Sequence, residues 1–568
     1  MLTRALLLAL LPLSALAQAQ PERTFETAKA MDVRASREMV VAAHPLAAEA
    51  GAAVLAEGGA AADAAVAVQL VLGLVEPQSS GLGGGAFAVI WDAAAGELTT
   101  LDGRETAPAA AAPDYWLRDG KPMGFRDAVP GGRSVGVPGT PALLEALWRK
   151  GGKLPLDRLA APAIRLAEEG FAVSPRLAAS VAEAAETIAP FPEAAAYFLP
   201  GGAPLAEGAV LKNPAYAETL RRFAAEGAAP FYRGDLAEAL LAAVRGAKVN
   251  PGVMSAEDLA GYEAKARPPV CAPWRGLEVC GMGPPSSGAL TVGQILMLTE
   301  RAGGMGARPS PEAWLRFAEA SRLAFADRGL YMADSDFTPM PEGLLNPGYM
   351  DARAALIAAD AAGEAAPGEP PWKEGALRAP DASPERPGTS HFVIRDAAGT
   401  VVSMTTTIET GFGSRLMANG YLLNNELTDF SFAPEHEGRP VANRVEGGKR
   451  PRSSMAPTIV LKGGAPILAL GSPGGARIIP YVAAALIALE EWGMSPAEAA
   501  SLGHVTAFGK RVDLEEGTEA EGLAGAFAAY GLEPRVANLN SGLSILRLAP
   551  DALIGAADPR REGAAAGR

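Results

Sequence analysis

Cysteine and histidine are both scarce in this chain of 568 residues, which has two of the first and four of the second. Cys271 and Cys280 alone make no zinc site, and no histidine pair lies near them. His44, His391, His436 and His504 share neither triad order nor metal-ligand spacing, and His391 is read as a support of the fold. Beyond the first twenty residues, no stretch reaches the roughly 20 uninterrupted apolar residues that a bilayer span requires. Positive charge is in deficit: a formal net charge of -14 argues against nucleic acid or anionic membrane as a partner, because phosphate binding rests on clustered Lys and Arg. The glycine run in EPQSSGLGGGAFAVIWD (76–92) lacks the strand-GxGxxG-helix order and a Walker lysine. It is therefore read as a tight turn feeding a central strand. A nucleophile elbow is missing as well, which counts against a serine hydrolase.

What is present describes a folded, exported protein. Hydrophobic residues at 49% and charged residues at 20% fit a soluble globular chain, and the length exceeds one ordinary core, so two domains or one multilayered unit are expected. The opening MLTRALLLALLPLSALAQAQ puts Arg4 before an apolar run that ends in small residues, the pattern of a secretory signal peptide spanning 1–19. No cysteine near that point can accept a lipid, so the mature protein is expected in the periplasm or outside the cell. Cys271 and Cys280 flank VCAPWRGLEVC, where a turn at Arg275-Gly276 would set them opposite each other. In an exported protein this suggests a disulfide; two unpaired small core residues are the alternative.

Along the chain, Met39 to Val75 reads as a short strand followed by Ala-rich helices, with Gly58-Gly59 as a break and Asp63 opening a uniformly apolar helix that must be buried. Residues 135–265 read as mainly helical scaffold, and 284–300 and 314–334 add two helices given packing roles. Between Asp351 and Gly388 a helix gives way to Pro, Gly, Ala and alternating charges, which predicts a mobile tether or a plain interdomain linker. HFVIRD and TVVSMTTTI then alternate apolar and polar residues around Ala397-Ala398-Gly399, a hairpin signature.

The stretch RPGTSHFVIRDAAGTVVSMTTTIETGFG (386–413) organises the rest. Gly388 has no side chain to block attack on its carbonyl, and the Thr389 hydroxyl can make that attack, so Thr389 reads as a concealed N-terminus. Once freed, its α-amine, with an ordinary pKa of about 7.7–8.0, can take the proton of its own hydroxyl. LLNNELTDFSF (422–432), KRPRSSMAPTIV (449–460) and GSPGGARII (471–479) follow in fixed order. With these motifs the chain, from about Met39 to Arg560, resembles the γ-glutamyltranspeptidase family, also called glutathione hydrolases, of the N-terminal-nucleophile hydrolases.

The resemblance implies an α+β fold, a four-layer αββα sandwich, made by a large subunit (20–388) and a small subunit (389–568) cut from one precursor and held together as a heterodimer. It implies Thr389 as nucleophile, Thr407 as its hydrogen-bond partner, and the Gly474 and Gly475 N–H groups as oxyanion donors. Arg104, Ser453 and Ser454 would hold the α-carboxylate of a γ-glutamyl donor, a task suited to a planar guanidinium. Glu426 and Asp429 would hold its α-ammonium. Acceptors would be water or an amino acid, and no metal or organic cofactor is needed. One position departs from the pattern: Glu409 stands where many members have asparagine, and a third carboxylate there either raises a neighbour's pKa or requires another cation, with Arg415 a candidate. That departure leaves open a glutaryl or cephalosporin-type acylase. A periplasmic amino-acid carrier, using the same charged residues without turnover, would remain uncleaved. Residues 430–448 fall where some members carry a lid over the pocket.

Overall fold

The computed structural model describes residues 24, 29–357, 361–372, 378–381 and 388–568. The expected signal peptide, residues 1–19, lies outside the described residues.

Two antiparallel sheets of seven strands each form the centre of the described residues. In the first, Ala564–Gly567, Met39–Ala42, Thr389–Arg395, Val401–Thr407, Gly85–Asp92, Glu97–Gly103 and Lys265–Arg267 lie side by side in that order. In the second the order is Val33–Ala35, Leu553–Ala557, Ser544–Leu548, Ala465–Gly471, Thr458–Lys462, Leu277–Gly281 and Val270–Trp274. Both sheets interleave strands from before and after residue 388, so the two expected subunits share one core and are not separate domains.

The layering follows from side-chain alternation. Val41, Val89, Val393 and Val401 of the first sheet meet Ile459, Ala469 and Leu546 of the second across a dry interface. Their sequence neighbours Val40, Ala88, Phe392 and Val402 point the other way, onto helices that include Ala61–Val75. Every residue of that helix is buried, as its uniform hydrophobicity requires. On the far side, Ala272, Val460 and Leu470 pack under helices Gly288–Arg301, Pro311–Tyr331 and Ile478–Glu490. Helix, sheet, sheet, helix is the αββα order.

The expected hairpin forms with Thr389 directly opposite Thr407, and Gly399 in the turn has a φ of 95°. Cys271 and Cys280 are also cross-strand partners and form a disulfide, with Arg275 and Gly276 both at positive φ between them. The glycine turn before Gly85 has a steric reason: a Cβ on Gly84 would sit 1.9 Å from the Thr407 carbonyl oxygen.

Three features depart from the sequence reading. The described parts of the supposed mobile tether are docked: Gly368 N–H donates to Asp327 Oδ1 at 2.9 Å, Ala362 N–H to the Tyr530 carbonyl at 2.8 Å, and the Asp381 side chain is buried. Low hydrophobicity did not prevent docking, because backbone polar groups and one carboxylate hold these pieces. The C-terminal AAAG forms an edge strand on Met39–Ala42 despite its weak β-propensity. A small sheet, Val505–Phe508, Arg511–Glu515 and Glu533–Ala537, was not anticipated.

Candidate active site

Strand alternation places Thr389 on the face of the first sheet that looks between the sheets, at the strand's first residue. Its hydroxyl is 3.5 Å from the Thr407 hydroxyl. Thr407 Oγ1 donates to the Gly388 carbonyl oxygen at 2.6 Å and accepts from the Glu409 N–H at 2.8 Å. Gly388 itself is wedged against the neighbouring loop, where a Cβ would fall 2.1 Å from the Glu409 carbonyl oxygen and 2.7 Å from the Thr410 carbonyl carbon. No side chain fits there without moving backbone. Glu409 holds a left-handed conformation, φ 76°, an uncommon state for a residue with a Cβ and one that clusters at functional sites.

All the residues expected to act on substrate, Gly474 excepted, line a single cavity with Met455 and Ile478. Its volume is about 20 Å³. That is room for a water or so, not for an acyl group.

Arg104, at the end of Glu97–Gly103, is 1% exposed. Its guanidinium donates to Glu426 Oε1, to Asp429 Oδ2 at 2.6 Å and to the Arg452 carbonyl at 3.0 Å, while Nε reaches the Pro451 carbonyl at 3.1 Å. Burial lowers its pKa, but Glu426, Asp429 and Glu105 reverse that and raise it. The two halves of the expected zwitterion clamp are thus closed on each other. Carboxylate oxygens of Glu409, Glu426 and Asp429 all lie within 4.8 Å of one another.

Arg415 does not pair with Glu409. Its guanidinium donates to the Gly413 carbonyl and, at 3.4 Å, to Thr187 Oγ1. The expectation that it pairs with Glu409 is corrected: Arg415, at a φ of 70°, spends its donors on its own loop and on Thr187.

Gly475 lines the cavity wall, and its chain neighbour Gly474, with a φ of 140°, does not. Neither N–H donates a hydrogen bond among the described residues. The 430–448 loop folds as a small hairpin, Glu435–His436 on Arg439–Pro440, and Phe432 stacks on Trp116 at 4.9 Å. It contributes no residue to the cavity wall.

Several supporting residues escaped sequence reading. Arg328, on a helix assigned to packing, donates to Ser454 Oγ at 2.7 Å and to Ser287 Oγ at 2.8 Å. Arg561 donates to the Thr389 carbonyl at 3.0 Å. Ser390 Oγ donates to Glu76 Oε2 at 2.7 Å, and Glu76 is paired with the buried Arg176. Glu105 is wholly buried, and neither of its oxygens has a hydrogen-bond partner among the described residues. Burial first, and Glu426 second, raise its pKa well above the usual carboxylate range. Nothing in the local sequence signals that this strand end is internal. His391 donates or accepts at Thr405 Oγ1, 2.8 Å away, and burial holds its pKa down to about 3. It is neutral and structural, as expected.

Comparison with known proteins places the chain among relatives of known family. The profile of the Gamma-glutamyltranspeptidase family matches residues 47–568. A glutathione hydrolase proenzyme of Bacillus subtilis (strain 168) is 38% identical over 488 residues, covering 84% of this chain and 81% of that protein. An acylase ACY 1 proenzyme of Pseudomonas sp. (strain V22) is 38% identical over 545 residues, 93% of each chain. Among solved structures, a cephalosporin acylase from Bacillus halodurans superposes with a TM-score of 0.85 at 27% identity, covering 97% of this chain and 99% of that one.

Proposed function

The chain belongs to the gamma-glutamyltranspeptidase family, and from that premise we propose that Thr389 both severs the Gly388–Thr389 bond and serves afterwards as the nucleophile. The enzyme is a γ-glutamyl hydrolase and transpeptidase of the N-terminal-nucleophile class, acting on glutathione and related γ-glutamyl compounds. The observation that carries the residue assignment is the meeting of Thr389, Thr407, Arg104, Glu426, Asp429, Ser453 and Ser454 in one cavity.

In maturation, Thr389 Oγ1 attacks the Gly388 carbonyl carbon, whose oxygen is already polarised by the Thr407 hydroxyl. The C–N bond breaks, the hydroxyl proton ends on the amine, and Gly388 becomes an ester on Thr389. Water then hydrolyses that ester, leaving a Gly388 carboxylate and a free Thr389 amine and hydroxyl. In turnover the same hydroxyl attacks the γ-carbonyl of the donor, and the α-amine relays its proton to the departing amine. Water or an amino acid then takes the γ-glutamyl group. The Gly474 and Gly475 N–H groups meet the oxyanion of each tetrahedral intermediate.

A donor opens the closed clamp by exchange: its α-carboxylate takes Arg104, Ser453 and Ser454, and its α-ammonium takes Glu426 and Asp429. Glu409 adds negative charge beside the ammonium, which favours γ-glutamyl donors over glutaryl ones that lack the amino group. A glutaryl acylase is the second reading, favoured by the Pseudomonas acylase relative. Residues 20–388 and 389–568 are the two subunits, and export by residues 1–19 would deliver them to the periplasm or the medium. No helix among the described residues is long and apolar enough to cross a membrane.

Mass spectrometry of the purified protein, paired with γ-glutamyl and glutaryl p-nitroanilides, tests this. Two chains with a boundary at Gly388/Thr389, one uncleaved chain from Thr389→Ala, and faster turnover of the γ-glutamyl anilide are expected. Turnover by material with that bond intact rejects the assignment, and preference for the glutaryl anilide selects the second reading.

A further inference from the structure

Asp381 lies upstream of the proposed cut, outside the cavity wall, yet its carboxylate is built into the support of the substrate clamp. The main chain places it: Asp381 N–H donates to the Gly329 carbonyl at 2.9 Å, and nearby Ala379 pairs with Val441 as a parallel bridge, its N–H donating to the Pro440 carbonyl at 3.1 Å. Asp381 Oδ2 accepts from Arg452 Nη2 at 3.0 Å and from Asn443 Nδ2 at 3.1 Å. All three side chains are at most 2% exposed.

Asn443 is the hub. The Nδ2 that meets Asp381 also donates to the Asp429 carbonyl at 2.7 Å, and its Oδ1 accepts from the Arg452 N–H at 2.9 Å. Asp429 supplies a carboxylate to the clamp, and the Arg452 carbonyl accepts from Arg104. One carboxylate from the upstream piece therefore fixes the amide that ties the acid side of the clamp to the main chain beneath its guanidinium. None of these bonds involves the Gly388–Thr389 peptide, so cleavage breaks none of them directly.

We propose that Asp381 is a positioning residue for donor binding in the cleaved enzyme: acting through Asn443 and Arg452, it holds Asp429 and Arg104 at the spacing a γ-glutamyl zwitterion needs. The inference rests on the γ-glutamyl reading of the site. It assigns the end of the large subunit a lasting part in recognition, where composition alone suggests a spent tether. Because the clamp grips the donor alike in the ground and transition states, its loosening raises KM and leaves kcat nearly unchanged.

The test uses the full chain carrying Asp381→Asn, Asp381→Ala, Arg452→Met or Asp381→Ala with Arg452→Met, assayed with γ-glutamyl p-nitroanilide after gel analysis of cleavage. Expected are normal cleavage, a KM raised roughly tenfold in Asp381→Ala with kcat within about twofold, and a smaller rise in Asp381→Asn, which keeps an acceptor for Asn443. The double variant should be no worse than Arg452→Met, since both changes break one linkage. An unchanged KM in cleaved Asp381→Asn and Asp381→Ala overturns the proposal, as does a fall in kcat at constant KM. Should Asp381→Ala not fold, Asp381→Asn decides alone. Failure of the wild-type enzyme to turn over the anilide would instead strike the γ-glutamyl reading itself.

Discussion

Replacing Thr407 by valine keeps its shape and removes one hydroxyl. That hydroxyl makes the 2.6 Å bond to the Gly388 carbonyl oxygen, the atom on which negative charge develops when Thr389 attacks. Loss of one such donor commonly slows an acyl transfer by about 10²–10³-fold, or roughly 3–4 kcal/mol of barrier. The same hydroxyl accepts from the Glu409 N–H at 2.8 Å, and leaving that buried group without a partner costs about 1–3 kcal/mol of stability. Thr407→Val should therefore fold with a lowered Tm and accumulate as precursor, whereas Thr407→Ser, which keeps the oxygen, should mature within about tenfold of the wild-type rate. Gel densitometry of precursor and products after a pulse of synthesis measures both rates, and a thermal melt measures stability. Maturation of Thr407→Val at the wild-type rate refutes the assigned polarisation. Equal slowing in Thr407→Ser would show that packing at this position, not the hydroxyl, limits cleavage.

Two further outcomes follow from the charges in and beneath the site. Glu409→Gln removes one of three carboxylates whose oxygens lie within 4.8 Å; a unit charge at about 4 Å in a partly screened site is worth up to about 4 kcal/mol. The ratio of kcat/KM for γ-glutamyl over glutaryl anilide should fall at least about tenfold, and an unchanged ratio would mean that Glu409 does not face the donor's ammonium. His391, held neutral by burial with a pKa of about 3, takes up a proton on unfolding at any pH between that value and its unfolded pKa of about 6.5. Its folded pKa is lowered, so the unfolded state binds more protons in that window and stability falls with falling pH, by up to about 1.4 kcal/mol per unit. Denaturant titrations from pH 7 to pH 4 should show a shallower loss in His391→Gln than in wild type; parallel curves would refute the burial argument.

Much of the fold was legible because it rests on short-range pattern. The alternation of HFVIRD and TVVSMTTTI around a glycine turn sufficed to set Thr389 across from Thr407, and Arg275-Gly276 to set Cys271 across from Cys280. The ten substrate-facing candidates were found as residues of motifs, each carried over singly, and composition could not have assembled them. What stayed hidden depends on distant partners. Arg561 meets the Thr389 carbonyl across 172 positions of sequence, and Arg328 reaches Ser454 across 126. An arginine in a helix or near a chain end looks the same whether it faces water or a buried hydroxyl. Asp381 is the sharpest case: in a segment rich in Pro, Gly and charge it reads as solvated linker, and only the approach of Asn443 and Arg452 makes it a buried anchor. Glu409 and Arg415 show the reverse error, where two opposite charges close in sequence invite pairing but Arg415 spends its donors on its own loop and on Thr187.

Maturation and turnover draw on the same few atoms, and that sharing explains why activity should wait for the cut. While the chain is whole, the Thr407 hydroxyl is committed to the Gly388 carbonyl oxygen, and the nitrogen of Thr389 is an amide without basicity. Gly388 also fills the space beside Glu409 and Thr410 so closely that not even a methyl group could be added. On the proposed assignment, cleavage would change all three at once: the Thr407 hydroxyl would be free to hold the Thr389 oxygen 3.5 Å away, the amide would become an amine able to accept a proton, and the loop at 409–411 would lose its wedge. The clamp needs no such release, since Arg104 already lies between Glu426 and Asp429 and opens by exchange with a donor. On the proposed assignment, nucleophile, base and room for the acyl group would therefore arise from one broken bond, and a chain that keeps that bond would have the recognition residues in place but lack a base to use them.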